Sequence, residues 1–269
     1  AAAAVAAGLG PLAHGTDGAG SIRIPSALSG VFGLKPSFGR VAKWPTSDIW
    51  ASRSHNGPIT RTVSDAALFL SAMAGPDSRD PTSIDNQPDD YVAAILEPLP
   101  TLRDLRVAWS VDFGYAAVDP QVRRLAQQAA QRFIDFGCHV DAVNPGWDDP
   151  REGAAVAWYV SMAAGLGQSY DQHPQAFEPT LAEMIEAGRR ISGEEHGRTL
   201  IARTAFYQQV HEFFEGYDLL LTPQMPIGAW PVDQWPSEID GTPTPSMFDR
   251  LSFTFPFNLT GQPAASVPC

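Results

Sequence analysis

Hydrophobic and polar positions along the chain alternate between two periods, and the switches mark out elements. Thr62-Val63-Ser64-Asp65 leads into the apolar run Ala66–Met73 and then Gly75-Pro76, which predicts a capped helix with a stop. Leu105–Val111 is a short apolar run suited to a buried strand. Asp119 follows as a cap and Pro120 takes the first helical position. Val122, Leu125, Ala129, Phe133 and Phe136 then fall on one helical face. Gly137 ends that helix, and Cys138–Val143 reads as a second strand. Strand, helix and strand at this spacing make a βαβ unit, so a mixed or parallel sheet is expected. Three helical stretches follow, over 153–167, 179–191 and 194–215. Tyr217–Thr222 is a strand ending at Pro223, and 224–245 is a loop rich in Pro and Trp. The fold class is α/β.

The termini break the pattern. Ala1–Gly10 is an alanine-rich helix candidate that is apolar all round, and such a helix needs cover on every side. At the other end, Ala264–Val267 is a strand-like run without a cap or tail. Both ends therefore read as truncation points inside a larger fold.

Composition narrows the classes. The 269 residues, 44% apolar, suffice for one large domain or two small ones. Glycine (23) and proline (24) are abundant and forecast tight turns. The net charge of −12 argues against non-specific nucleic-acid binding, which needs a positive field. No apolar run approaches the ~18 residues of a membrane span. Lysine occurs only at Lys35 and Lys43. Two cysteines, Cys138 and Cys269, cannot fill a four-ligand zinc site or build a disulfide framework, so a reducing, cytoplasmic setting is expected. His211-Glu212-Phe213-Phe214-Glu215 begins like H-E-x-x-H but lacks the second histidine. Neither a metal nor a cofactor is expected.

The densest chemistry lies in Gly15-Thr16-Asp17-Gly18-Ala19-Gly20-Ser21-Ile22-Arg23-Ile24-Pro25. Three glycines in six residues let successive N–H groups face one point, a nest for a phosphate or an oxyanion. A dinucleotide loop needs G-x-G-x-x-G, and Arg23 stands at the third position. A P-loop needs a lysine that is absent, and the G-x-S-x-G elbow fails at Ala19 and Arg23. A serine with backbone donors immediately before it remains, which suits acyl transfer.

This stretch, with Gly30-Val31-Phe32-Gly33-Leu34-Lys35-Pro36-Ser37-Phe38-Gly39-Arg40-Val41, resembles the amidase signature family. Gly57–Ala66, Asp218–Pro223 and Phe253–Ala264 carry the same resemblance, and only about 145–215 and 225–245 are generic. The resemblance implies a single amidase signature domain over 1–269, a twisted sheet flanked by helices. A variable helical insert on the substrate side would occupy about 145–215. It implies a Ser–cis-Ser–Lys amidohydrolase in which Ser21 is the acyl-enzyme nucleophile. The N–H groups of Gly18, Ala19, Gly20 and Ser21 would form the oxyanion hole, Ala19 standing where glycine is commoner. Thr16, Asp17 and Arg23 would support the loop or touch substrate.

The family's base lysine and relay serine precede the nucleophile, and counting back from Ser21 passes the first residue. The 269-residue chain alone is therefore expected to be inactive. Lys35 lies in a stretch that matches structural family sequence, and His14 is better read as a structural histidine than as a base. Trp158, Tyr159, Tyr170, Phe206 and Tyr207 could line a pocket but are read as helix core, and Asn258 and Gln262 as parts of a structural turn. The leading reading is hydrolysis of a small-molecule amide without nucleic-acid or membrane partners, a homodimer being compatible with it. The alternatives are the amidase component of a glutamyl-tRNA amidotransferase, supplying ammonia from glutamine, and a non-catalytic remnant.

Overall fold

A computed structural model describes residues 1–46, 53–97 and 102–269. The chain divides into two compact units, one of Ala1–Gly146 with Phe214–Cys269, the other of Trp147–Phe213.

The first unit opens with α1 (Ala2–Ala6), β1 (Leu12–Asp17), α2 (Arg23–Ser29), β2 (Phe32–Lys35) and β3 (His55–Thr60). α3 (Val63–Met73) and α4 (Tyr91–Leu96) follow. β4 (Arg106–Trp109), α5 (Pro120–Asp135) and β5 (His139–Ala142) form the βαβ unit. The second unit holds α6 (Arg151–Gln172), α7 (Pro179–Arg190) and most of α8 (Gly193–Gly216). The chain returns through β6 (Leu219–Leu221), a short hairpin of β7 (Glu238–Ile239) and β8 (Thr242–Pro243), α9 (Pro256–Thr260) and β9 (Ala264–Ser266).

Among the described residues, antiparallel and parallel pairing occur in separate sheets. β1-β3-β2-β9 is antiparallel throughout, with Gly15 opposite Gly57 and Leu34 opposite Ala265. β5-β4-β6 is parallel, Val107 pairing with both Val140 and Leu219. Parallel pairing follows from the α5 crossover, since parallel neighbours cannot be joined by a tight turn.

Local chemistry explains the boundaries. The Thr62 hydroxyl accepts the Asp65 N–H at 3.1 Å and starts α3. The Asp119 carboxylate accepts from Gln121 and Val122 N–H and starts α5, with Pro120 just inside. α5 keeps Val122, Ala129 and Phe133 of the expected stripe and departs from it at the other two positions. Val122, Ala126, Ala130 and Phe133 turn inward, while Leu125 and Phe136 are 48% and 63% exposed. The alanine run forms helix only over Ala2–Ala6, covered on one side through Ala2 and Val5, which join Ile22, Val31 and Ile59 in a core cluster. In the helical unit Trp147 packs edge-on against Phe206, with ring centroids 6.0 Å apart, and against Phe213 at 5.2 Å. Phe206 is core as expected, whereas Tyr207 is exposed and stacks on His211.

Candidate active site

The glycine-rich stretch is built as a strand, a tight loop and a helix. β1 alternates exposed and inward residues, so Leu12, His14 and Thr16 face solvent while Asp17 ends the strand fully buried. Gly18–Gly20 turns the chain, Ser21 stands exposed at the bend, and α2 begins two residues later. Gly20 has φ +128°, a conformation essentially reserved for glycine. A Cβ there would meet Ile24 Cδ1 at 2.5 Å and Thr254 Cβ at 2.8 Å.

Asp17 organises the loop. Its Oδ1 accepts from Gly20 N–H (2.8 Å), Arg23 Nη2 (2.9 Å) and Asn258 Nδ2 (2.9 Å). Its Oδ2 accepts from Arg23 Nε (2.9 Å) and Ile22 N–H (3.3 Å). Burial by itself would raise this carboxyl's pKa, but the Arg23 charge and the hydrogen bonds from Arg23 and Asn258 outweigh it and bring it down to about 2. The guanidinium completes its contacts on the Thr254 carbonyl (3.0 Å) and Asn258 Oδ1 (2.7 Å). Arg23 is 1% exposed, and its guanidinium ties the loop to Thr254 and Asn258.

A second set of ties comes from the far end of the sequence. Thr254 Oγ1 donates to the Ala19 carbonyl at 2.6 Å, and Asn258 Nδ2 donates to the Asp17 carbonyl at 2.8 Å and to Arg53 O at 3.2 Å. Thr254 and Ala19 stand 235 residues apart, Asn258 and Asp17 241. Asn258, expected in a structural turn, is instead part of the buried network under the loop. The available signal was a carboxamide inside the apolar run Phe253–Leu259, because a buried polar group must find partners.

The hydrogen bonds sort the four amides expected to act as oxyanion donors. Gly20 N–H is taken by Asp17, which removes it from that set as the loop stands. In a planar trans peptide the C=O and the following N–H point to opposite sides. The Gly20 carbonyl accepts Ile24 N–H at 2.7 Å, so the Ser21 N–H points away from the helix. Among the described residues, the amides of Gly18, Ala19 and Ser21 meet no protein acceptor. Three donors and an exposed hydroxyl thus share one bend.

Among the described residues, no general base meets Ser21. Lys35 is fully buried, and its Nζ donates to the Gln262 and Pro36 carbonyls. Burial first, then the Arg23 charge, lowers its pKa to about 7, with Asp17 opposing. The amine thus has the depressed pKa a base needs but is turned into the core. His14 is exposed on β1 opposite Pro58, and among the described residues no hydrogen bond joins it to Ser21. His55, buried beside Phe38, is held neutral with a pKa of about 3, mainly by burial and then by Lys35. Among the described residues, no group of three or more His, Cys, Asp or Glu could hold a metal ion. No helix there is long and apolar enough to cross a membrane.

Comparison with known proteins gives concordant results. A family profile described as Amidase matches residues 1–269. The chain is 37% identical over 274 residues to an acylamidase of Rhodococcus erythropolis, covering all of this chain and 56% of that protein. It is 33% identical over 297 residues to the A-type component of the glutamyl-tRNA(Gln) amidotransferase of Synechococcus sp. (strain RCC307), covering all of this chain and 59% of that one. The fold superposes with a TM-score of 0.88 on a bacterial aryl acylamidase described as an amidase signature enzyme. That match has 29% identity and covers 99% of this chain and 57% of that structure. The chain therefore spans a little over half the length of these relatives.

Proposed function

Because the chain belongs to the amidase family, matched over its whole length, we propose that the complete protein cleaves carboxamide C–N bonds through an acyl-enzyme on Ser21. The supporting observation is the bend itself: an exposed serine hydroxyl beside three backbone N–H groups that, among the described residues, meet no protein acceptor. In this reading Ser21 Oγ attacks the amide carbonyl and its proton leaves to a base. Negative charge develops on the carbonyl oxygen and is met by the N–H groups of Gly18, Ala19 and Ser21. Each such donor contributes on the order of 10²–10³ in rate. The leaving amine takes up a proton, and water then releases the carboxylic acid. We take the base to be the relay serine and lysine typical of the family, a reading supported by the Lys35 amine being engaged by the Pro36 and Gln262 carbonyls. We read the substrate as a small-molecule amide, the setting as cytoplasmic, and 147–213 as a helical insert within one amidase domain.

A second reading, glutamine hydrolysis feeding ammonia to a partner enzyme, is favoured by the resemblance to the glutamyl-tRNA(Gln) amidotransferase component. The complete protein is assayed on an aryl acetamide and on glutamine, then labelled with a fluorophosphonate. We expect aryl acetamide turnover and labelling in the wild type and neither in Ser21→Ala, which keeps its fold. Turnover of glutamine alone would favour the second reading. Undiminished activity in Ser21→Ala would refute both.

A further inference from the structure

Asn258 lies on α9, is 1% exposed, and is flanked by buried Phe257 and Leu259. Its carboxamide is locked from both sides. Oδ1 accepts Arg23 Nη2 at 2.7 Å, and Nδ2 donates to Asp17 Oδ1 at 2.9 Å and to the Asp17 carbonyl at 2.8 Å. That last bond fixes a peptide plane as well as a side chain. The Asp17 carbonyl and the Gly18 N–H belong to one trans peptide, so pulling the carbonyl onto the buried Asn258 turns the N–H to the opposite side. There it meets no protein acceptor among the described residues. Gly18 has no Cβ, so this plane could turn over with little steric resistance. Turned over, it would aim a carbonyl oxygen where a donor is needed. The covalent structure of the loop leaves both states open, and the Asn258 carboxamide selects between them.

We propose that Asn258 is a positioning residue for amide hydrolysis, acting through the Asp17–Gly18 peptide to keep the Gly18 N–H available to the oxyanion. It does not touch substrate. The proposal rests on acylation at Ser21. Because Asn258 acts on one donor among three, its loss costs less than full removal of a donor, which is ~10²–10³ in rate.

The test compares wild type, Ser21→Ala and Asn258→Ala as complete proteins hydrolysing 4-nitroacetanilide, with an aryl trifluoromethyl ketone as an inhibitor that forms a tetrahedral oxyanion. In Asn258→Ala we expect kcat to fall about ten- to hundredfold with KM within about threefold. Affinity for the ketone should fall in parallel with kcat/KM. If the alanine variant does not fold, Asn258→Ser, which keeps a donor on a shorter arm, is read by the same criteria. A folded variant with kcat within twofold of wild type would overturn the proposal, as would a loss of turnover without loss of ketone affinity. Either result leaves the Ser21 reading intact. Absent turnover in the wild type, or full turnover in Ser21→Ala, would overturn that reading and this one together.

Discussion

Asp17→Asn removes one charge and almost no volume, and the structure allows its cost to be worked out. Five donors converge on the carboxylate, three on Oδ1 and two on Oδ2. An asparagine has a single acceptor oxygen, so it settles with its oxygen at the Oδ1 site. Its NH₂ then faces Arg23 Nε and Ile22 N–H, leaving both unpaired and the guanidinium buried without a counter-charge. Breaking a buried ion pair in this way costs about 3–5 kcal/mol. At roughly 2–4 °C per kcal/mol for a protein of this size, the melting temperature should fall by roughly 6–20 °C. The pKa supplies a second check. The carboxyl drops from 3.8 to about 2 on folding, so its stabilisation is complete above pH ~4 and is lost as pH falls toward 2. That lowering corresponds to about 2–3 kcal/mol in full, of which about 1.5 kcal/mol is lost between pH 7 and 2.5, so the gap between wild type and Asp17→Asn should narrow by about that much. Urea unfolding followed by tryptophan fluorescence at pH 7, 4 and 2.5 measures both effects. The Arg23→Met single variant and the double variant complete the cycle. The double should be less destabilised than the sum of the singles by at least about 2 kcal/mol, since each single strands the other's charge. A loss under about 1 kcal/mol in Asp17→Asn, or a gap that does not change with pH, would refute the assignment of Asp17 as the charged hub of the loop.

Two further predictions follow from the same site. Lys35 sheds its proton at about pH 7 when folded but at 10.5 when unfolded, so the unfolded chain binds more protons in between and stability gains with rising pH across that window. Lys35→Met should lose this gain, which approaches ~1.4 kcal/mol per pH unit, and urea midpoints at pH 6, 8 and 10 measure it. Equal slopes in the two proteins would count against a neutral buried amine. Gly20→Ala places a Cβ 2.5 Å from Ile24 Cδ1 at φ +128°. It should cost about 1–3 kcal/mol of stability and, by displacing the Ser21 bend, more than about a hundredfold in turnover, read from thermal melts and amide hydrolysis.

Elements whose cause is local were legible in the amino-acid order. Thr62, Asp119 and Pro120 act on the turn that follows them, so α3 and α5 start where their caps predict. The glycine spacing around Ser21 and the βαβ periodicity are local in the same sense. The sequence determined the α/β class and the family, and it singled out the glycine-rich loop proposed to react. What it left open depended on contacts between distant residues. The rotation of α5 was one such case, with Ala126 and Ala130 turned inward while Leu125 and Phe136 lie outside. The antiparallel sheet is completed by β9, which pairs with β2 across more than two hundred residues of sequence. Within the loop, residue identity gave four equivalent amides. Tertiary structure separated them by placing the Asp17 carboxylate on Gly20 N–H and the Asn258 carboxamide on the Asp17 carbonyl. A peptide plane has two sides, and the carbonyl side of the Asp17–Gly18 plane meets a partner brought from the other end of the sequence.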